Sequence, residues 1–109
     1  SFVTGATFTN VAEEAIPNTF ELMQNYPNPF NPSTQIKFSI PSNGLVTLKI
    51  YDLLGKEIKT LINSEYSAGS HSIQWNGDDN LGNKVSTGVY VYRMTTGNFA
   101  SSKKMLLIK

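Results

Sequence analysis

Cysteine is absent from this sequence of 109 residues, which has one histidine and one tryptophan. Without cysteine the chain forms neither disulfide bonds nor thiolate metal sites, so packing alone must hold it together. No apolar run approaches the roughly 20 residues with which a helix crosses a bilayer. Hydrophobic residues make up 39% of the chain, which is enough for one small core but not for two domains.

Acidic residues are missing from the last third of the chain. None follows Asp79, whereas five lysines and arginines do, although the formal net charge is only +1. Domains that bind nucleic acid usually cluster more basic side chains and interleave them with aromatic ones. We therefore interpret the basic residues as a solvated strand face and expect no nucleic-acid partner.

Catalytic groups are scarce. His71 alternates with Ile73 and Trp75, and this pattern favours a packed histidine over a general base. No nucleophile, base and orienting residue form a recognisable set around it. We expect neither enzymatic activity nor a cofactor, and no catalytic residue is assigned.

One polar segment, "NGDDNLGN", partly matches a calcium loop. Asn76, Asp78 and Asn80 alternate as the first ligands of such a loop do. Gly82, however, comes one position late, and no glutamate closes the segment. A polar turn is the favoured interpretation and no metal site is predicted, although calcium binding by these three side chains stays open.

Most of the chain alternates apolar and polar residues with the period of a half-buried strand, as "TQIKFSI" does. Together with a short strand in "TFELMQN", seven such segments follow one another at intervals of about ten residues. Asn43-Gly44 predicts a type I′ hairpin turn between the second and third strands. This pattern predicts an all-β fold, an Ig-like antiparallel β-sandwich of about seven strands, with a closed barrel as the alternative.

Domain boundaries follow from the same pattern. Residues 1–18 show no sustained periodicity and are interpreted as a linker from an upstream domain. Residues 19–109 form the predicted Ig-like domain.

The segment "YPNPFNPST" holds three of the five prolines. Proline fixes φ and biases the preceding residue toward extended geometry, while asparagine closes local turns. We therefore predict a stiff corner between the first and second strands, with Tyr26 and Phe30 packed on the core.

The final segment, "KKMLLIK", places Met105 and Leu107 on one side of a strand and Leu106 and Ile108 on the other. Antiparallel strands normally leave one side polar. Either both sides are covered, or one side is exposed. In the second case the segment is a candidate docking strand, to which a partner would add by strand pairing.

These stretches, in this order, resemble the C-terminal sorting domain of cargo proteins of the type IX secretion system of Gram-negative bacteria. The resemblance runs from about residue 20 to residue 109 through "YPNPFNPST", "VTLKIYDLLGKEIKTL", "SAGSHSIQWNG", "STGVYVYRM" and "KKMLLIK". Ig-like domains of flagellar hook-capping proteins are similar from "WNGDDNLGN" to "STGVYVYRM".

The resemblance implies a non-catalytic address tag. The tag would direct an upstream passenger from the periplasm across the outer membrane to the cell surface or the medium. Its partners would be the outer-membrane translocon and a surface protease that cuts within residues 1–20. The implied signal segment comprises Lys103, Lys104, Met105, Leu106, Leu107, Ile108 and Lys109. The implied structural positions are Pro27, Asn28, Pro29, Phe30, Asn31, Pro32, Gly55, Gly69, Trp75, Gly88 and Tyr90.

The alternative function is an accessory Ig-like module of a secreted enzyme, either carbohydrate-binding or a structural spacer. The aromatic residues Trp75, Tyr51, Tyr66, Tyr90 and Tyr92 would supply a sugar platform only if they shared an exposed face. The strand pattern favours packing for them instead. Self-association through edge strands is a further open alternative.

Overall fold

A computed structural model describes residues 17–108 of the chain as seven strands in two antiparallel sheets. The strands are β1 (Glu21–Leu22), β2 (Thr34–Ile40), β3 (Gly44–Asp52), β4 (Glu57–Tyr66), β5 (Gly69–Trp75), β6 (Gly88–Thr96) and β7 (Phe99–Leu107). One sheet has the order β1-β2-β5 and the other the order β4-β3-β6-β7. The predicted antiparallel β-sandwich is confirmed.

Most of the predicted linker, residues 1–16, lies outside the described residues, as does Lys109. Within residues 17–108, no helix is both long and apolar enough to cross a membrane.

The core lies between the sheets because the strands present an apolar side chain at every second position. Val46, Leu48 and Ile50 of β3 are fully buried, as their alternation predicts. They face Ile36 and Phe38 of β2, which are equally buried. Full burial of each such side chain contributes about 1.5–3 kcal/mol to folding. The other buried apolar residues are Leu22, Phe30, Ile40, Ile62, Trp75, Tyr90, Tyr92, Met94, Met105 and Leu107.

The predicted hairpin at Asn43-Gly44 is wrong. Strands β2 and β3 lie in different sheets, whereas a type I′ turn joins neighbours in one sheet. The segment is a crossover, and Asn43 Oδ1 accepts a hydrogen bond of 2.8 Å from the backbone N–H of Ala68 in the second crossover. The asparagine therefore ties the two crossovers together.

The two ends of the sandwich hold different segments. One end, which we call the hairpin end, carries the two crossovers and the β6–β7 turn at residues 97–98. Phe20 stacks on Phe99 at 5.2 Å there, so the chain enters the domain at this end. The opposite end, which we call the corner end, carries the loop after β5 and the last residues of β7. Asp52, at the end of β3, pairs with Tyr90, and Tyr90 pairs with Met105, so these three residues lie side by side at this end. Upstream sequence therefore joins the domain at the end opposite to Met105.

Tyr92 ties the segment after β1 to the other sheet. Its hydroxyl donates to the carbonyl of Met23 at 2.6 Å and accepts from the N–H of Asn25 at 2.8 Å. Burial of the phenol raises the pKa of Tyr92 to about 12, because a buried phenolate loses its hydration.

We predict that Tyr92 makes stability fall at high pH. The unfolded phenol ionises near its ordinary pKa of 10.0, before the folded one at about 12, so its contribution is complete below pH 10 and lost as the pH rises toward 12. The loss should total about 1 to 2 kcal/mol, measured by urea unfolding across this range. Tyr92→Phe should remove this part of the slope, while Tyr26→Phe, at a side chain 79% exposed, should keep it. Equal slopes for wild type and Tyr92→Phe would contradict the prediction.

Candidate functional site at the C-terminal strand

The two faces of the terminal segment differ. Met105 and Leu107 point into the core and are 2% exposed. Leu106 is half-buried and Ile108 is 43% exposed on the other face. Of the two possibilities that the sequence left open, the structure shows the one in which a single face is covered.

Lys104, Leu106 and Ile108 share the uncovered face, and we call them the outer row. Lys104 is exposed, and Leu106 lies opposite Val89 of β6. Beside Leu106 is a hollow of about 240 Å³ lined by Asn28, Val89, Lys104, Met105 and Leu106. Lys103 follows the phase of Met105 and is half-buried.

The free edge of β7 is covered by the proline corner, residues 26–33. The N–H of Phe30 donates to the carbonyl of Leu106 at 3.0 Å, and the N–H of Ile108 donates to the carbonyl of Phe30 at 3.0 Å. This is a parallel bridge from Phe30 to Leu107. Asn28 Oδ1 accepts from the N–H of Leu106 at 3.0 Å.

Gln24 extends this cover, since its Nε2 donates to the carbonyl of Lys104 at 2.8 Å. Main-chain groups from Lys104 to Ile108 are therefore already hydrogen-bonded along this edge. The alternative of an open docking strand therefore does not hold for Lys104–Ile108 in the folded domain, because strand addition needs unpaired edge groups.

Phe30 anchors the corner, as predicted. Its ring is 1% exposed and packs on Trp75 at 5.6 Å, and Trp75 in turn meets Tyr90 at 5.5 Å. The prediction that Tyr26 packs on the core is wrong, since that side chain is 79% exposed. Tyr26 pairs with Gln35 through both backbone groups, and strand alternation turns its side chain outward. The exposed members of the corner are Tyr26, Pro27, Asn28, Pro29, Asn31 and Pro32.

Beneath the corner lies a buried polar network that the sequence analysis missed. Asn25 Nδ2 donates to the carbonyl of Pro27 at 3.1 Å and to Thr34 Oγ1 at 3.0 Å. The hydroxyl of Thr34 donates to the same carbonyl at 2.8 Å. The sequence could have indicated this network, because Thr34 lies two positions before Ile36 and therefore on the same inward face of β2.

Gly77 is a second missed position. It has a φ of +70°, and a Cβ there would lie 3.3 Å from the carbonyl oxygen of Pro32 and 3.5 Å from Leu107. Glycine thus lets the loop after β5 approach the corner and the terminal strand closely. Of the glycines named from the resemblance, Gly69 and Gly88 begin β5 and β6, and Gly55 lies in the β3–β4 turn.

The side chains considered for calcium have separate partners. Asp78 forms an ion pair of 2.8 Å with Lys59. Asn80 Oδ1 accepts from the N–H of Thr60 at 3.0 Å, and Asn76 Oδ1 accepts from the side chain of Gln74. Within residues 17–108, no three His, Asp or Glu side chains group as metal ligands would.

His71 lies near the hairpin end and packs edge-on against Tyr66 at 4.9 Å, with its Nε2 2.7 Å from the carbonyl of Ser67. Three of the five aromatic residues considered for a sugar platform, Trp75, Tyr90 and Tyr92, are buried in the core, while Tyr51 and Tyr66 are half-buried. Buried rings have no free face for a sugar, so these three do not form a sugar platform.

Two antiparallel sheets in this order, packed over one core, define an Ig-like β-sandwich. Residues 30–99 match the sequence model of the FlgD Ig-like domain, and the chain belongs to this family. A comparison with curated proteins finds no match.

Solved structures share the fold. Dimeric latent PorU from Porphyromonas gingivalis is 20% identical, with a TM-score of 0.68 over 95% of this chain and 10% of that chain. PorZ from the same organism, described as an essential bacterial surface component of the type IX secretion system, is 19% identical, with a TM-score of 0.56 over 79% and 11% of the two chains. FlgD from Pseudomonas aeruginosa is 25% identical, with a TM-score of 0.54 over 68% and 58%. The chain thus spans about a tenth of PorU and PorZ and under two thirds of this FlgD.

We predict that Asn28→Ala opens the edge locally. Loss of its bond to Leu106 should speed hydrogen exchange of the Leu106 amide about 2- to 10-fold, as expected for a hydrogen bond worth about 0.5–1.5 kcal/mol. NMR-detected exchange measures this rate. Asn31→Ala, at an exposed asparagine of the same corner, is the matched control and should leave the amide unchanged. Equal exchange in both variants would mean that Asn28 does not hold the edge.

Proposed function

We propose that this domain is a non-catalytic C-terminal sorting domain that directs an upstream passenger across the outer membrane by type IX secretion and is then cut off at the linker. One observation carries the proposal: the outer row places the half-buried Leu106 and the exposed Ile108 on the outer face of a strand whose edge is closed from Lys104 to Ile108. Apolar side chains held on a rigid strand suit a docking surface. The fold shared with PorZ, described as a surface component of that system, supports the same conclusion.

In this proposal the translocon recognises the side chains of the outer row rather than the main chain of β7. The corner already occupies the main-chain groups from Lys104 to Ile108, so the outer row is what remains for a partner. Leu106 and Ile108 supply apolar contacts, and Lys104 supplies a positive charge that steers association. The hollow of about 240 Å³ beside Leu106 receives a side chain of the partner.

The positions of the passenger junction and of the outer row fit a tag. Upstream sequence joins at the hairpin end, where Phe20 stacks on Phe99, and the outer row lies toward the corner end. The outer row therefore lies far from the point at which the passenger joins the domain. In the proposed route the domain passes through the periplasm, and a surface protease cuts within residues 1–20 after the outer membrane is crossed.

The test is an export assay with substitutions in the outer row. Residues 1–109 are fused behind a reporter with an N-terminal export signal, in a host that has the type IX machinery. Simple deletion of the terminal segment is unsuitable, because it removes Met105 and Leu107 from the core. Leu106→Thr with Ile108→Thr keeps strand propensity and the core intact.

We expect the wild-type fusion at the cell surface or in the medium and the double variant in the periplasm, with at least a fivefold loss of surface reporter. Leu45→Thr is the matched control, because Leu45 is 51% exposed in a strand of the same sheet. It should be exported normally. Circular dichroism should show the same fold for all three. Normal export of the double variant would overturn reading through the outer row, and periplasmic retention of the wild-type fusion would overturn the sorting assignment itself.

A further inference from the structure

Strand β5 lies at a free edge of the three-stranded sheet. In the order β1-β2-β5 it has β2 on one side and, among residues 17–108, no strand on the other. It pairs with β2 in one unbroken register from Gly69 to Trp75. A regular edge of this kind leaves main-chain groups without strand partners and is a template to which another strand can add.

The hydrogen bonds of β2 show which groups of β5 point outward. Gln35 exchanges both backbone bonds with Tyr26, on the side of β2 away from β5. Because successive residues of a strand direct their backbone groups to opposite sides, Ile36 bonds toward β5, where its partner is Ile73. The residues that alternate with Ile73 therefore direct their N–H and C=O groups to the free edge, and these residues are Ser70, Ser72 and Gln74.

The other edges of the sandwich have features that hinder strand addition. The proline corner and Gln24 close β7 from Lys104 to Ile108, and β1 is only two residues long. On the free side of β4, Asn80 bonds to the backbone of Ile58 and of Thr60, and two irregularities interrupt the register of β4 with β3. Covers, short strands and bulges are the usual protection of edges. Among the described residues nothing of this kind protects β5, which also contains neither proline nor lysine.

Two copies of β5 match each other in antiparallel pairing. When Ser72 lies opposite Ser72 of a second copy, Ser70 of each copy lies opposite Gln74 of the other. All of these residues direct their backbone groups to the shared edge, so each opposing pair can exchange two hydrogen bonds. A shift by one residue would place outward groups opposite groups that already bond to β2. The pairing therefore has a defined register, centred on Ser72.

Charge does not oppose the pairing of two copies. Strand β5 contains no lysine, arginine, aspartate or glutamate. On β2, Lys37 lies opposite Ser72, so two copies place their Lys37 residues three strand spacings apart, about 14 Å. This distance exceeds the screening length of about 8 Å in physiological salt. The exposed side chains of Ser70, Ser72 and Gln74 supply polar cross-strand contacts at the junction.

We propose that β5 pairs with β5 of a second copy of this chain, which joins the two three-stranded sheets into one continuous sheet. The inference goes beyond the proposed sorting function and does not depend on it. Gln24 and Phe20, beside β1, contact β7, whereas β5 is at the opposite edge of the sheet that contains β1. The junction and the outer row therefore lie on different sides of the domain, and a dimer presents two outer rows.

Single cysteines test the register directly, because the chain has no cysteine of its own. In the proposed pairing the Cα atoms of the two Ser72 residues lie about 5.5 Å apart, within the range that a disulfide spans. The two Ser70 residues are displaced from each other by about 13 Å along the strands, which a disulfide cannot span. After mild oxidation we expect about ten times more covalent dimer from Ser72→Cys than from the matched control Ser70→Cys, measured on a non-reducing gel.

A proline tests the main-chain bonds. The N–H of Ser72 points away from β2, so Ser72→Pro removes a donor of the junction and none of the β2–β5 ladder. Loss of this donor in both copies should raise the Kd of the dimer about tenfold or more, measured by analytical ultracentrifugation of the 109-residue chain. Ser72→Thr keeps the N–H and should leave the Kd unchanged. Unfolding midpoints of the dilute, monomeric variants should agree with that of the wild type.

Every outcome bears on the proposal. A 109-residue chain that stays monomeric up to about 1 mM overturns it, and so does an unchanged Kd in Ser72→Pro. Equal cross-linking of Ser72→Cys and Ser70→Cys overturns pairing through β5. If the proline disturbs folding, the two cysteine variants decide, because both replace exposed serines. The export assay remains the separate test of the sorting function, so failure of the dimer leaves that function intact.

Discussion

The parallel bridge between Phe30 and Leu107 is the contact on which the corner end depends. It places backbone groups of the corner along the free edge of β7, and it brings the Phe30 ring over Trp75. The close approach of Gly77 to Pro32 and Leu107 follows from the same junction. Removing the bridge would unpair the edge of β7 and also loosen the core, because Phe30 supplies both the backbone bonds and a buried ring.

Edge closure also decides how the terminal strand can be recognised. An unpaired edge is a template for any passing strand and promotes aggregation. Here the prolines lie outside the ladder while Phe30 and Asn28 supply its hydrogen bonds. The part of the strand from Lys104 to Ile108 is thereby protected from unspecific pairing, and its outward side chains remain available. A domain without disulfides thus joins its last strand to its first loop by hydrogen bonds and one buried ring.

The alternation of apolar and polar residues predicted the features that depend only on neighbouring positions in the sequence, namely strand bounds and burial. The bounds of β2 and the burial of Val46, Leu48 and Ile50 follow from a period of two. The same local reasoning failed at Asn43-Gly44, because a turn dipeptide does not reveal whether the next strand stays in the sheet. The closed edge was equally hidden, since Asn28 and Leu106 are 78 positions apart and no local pattern links them. The family resemblance named the terminal segment as a signal, but it did not show which of its faces is exposed.

The order of synthesis gives the closed corner a further meaning. A ribosome makes the corner early and β7 late, so the sandwich lacks Met105 and Leu107 until those codons have been read. A chain that stops short keeps an unpaired edge on β6 and a hole beneath Phe30, and quality-control proteases attack such openings. A completely folded domain therefore indicates that translation of the chain has continued at least through Leu107.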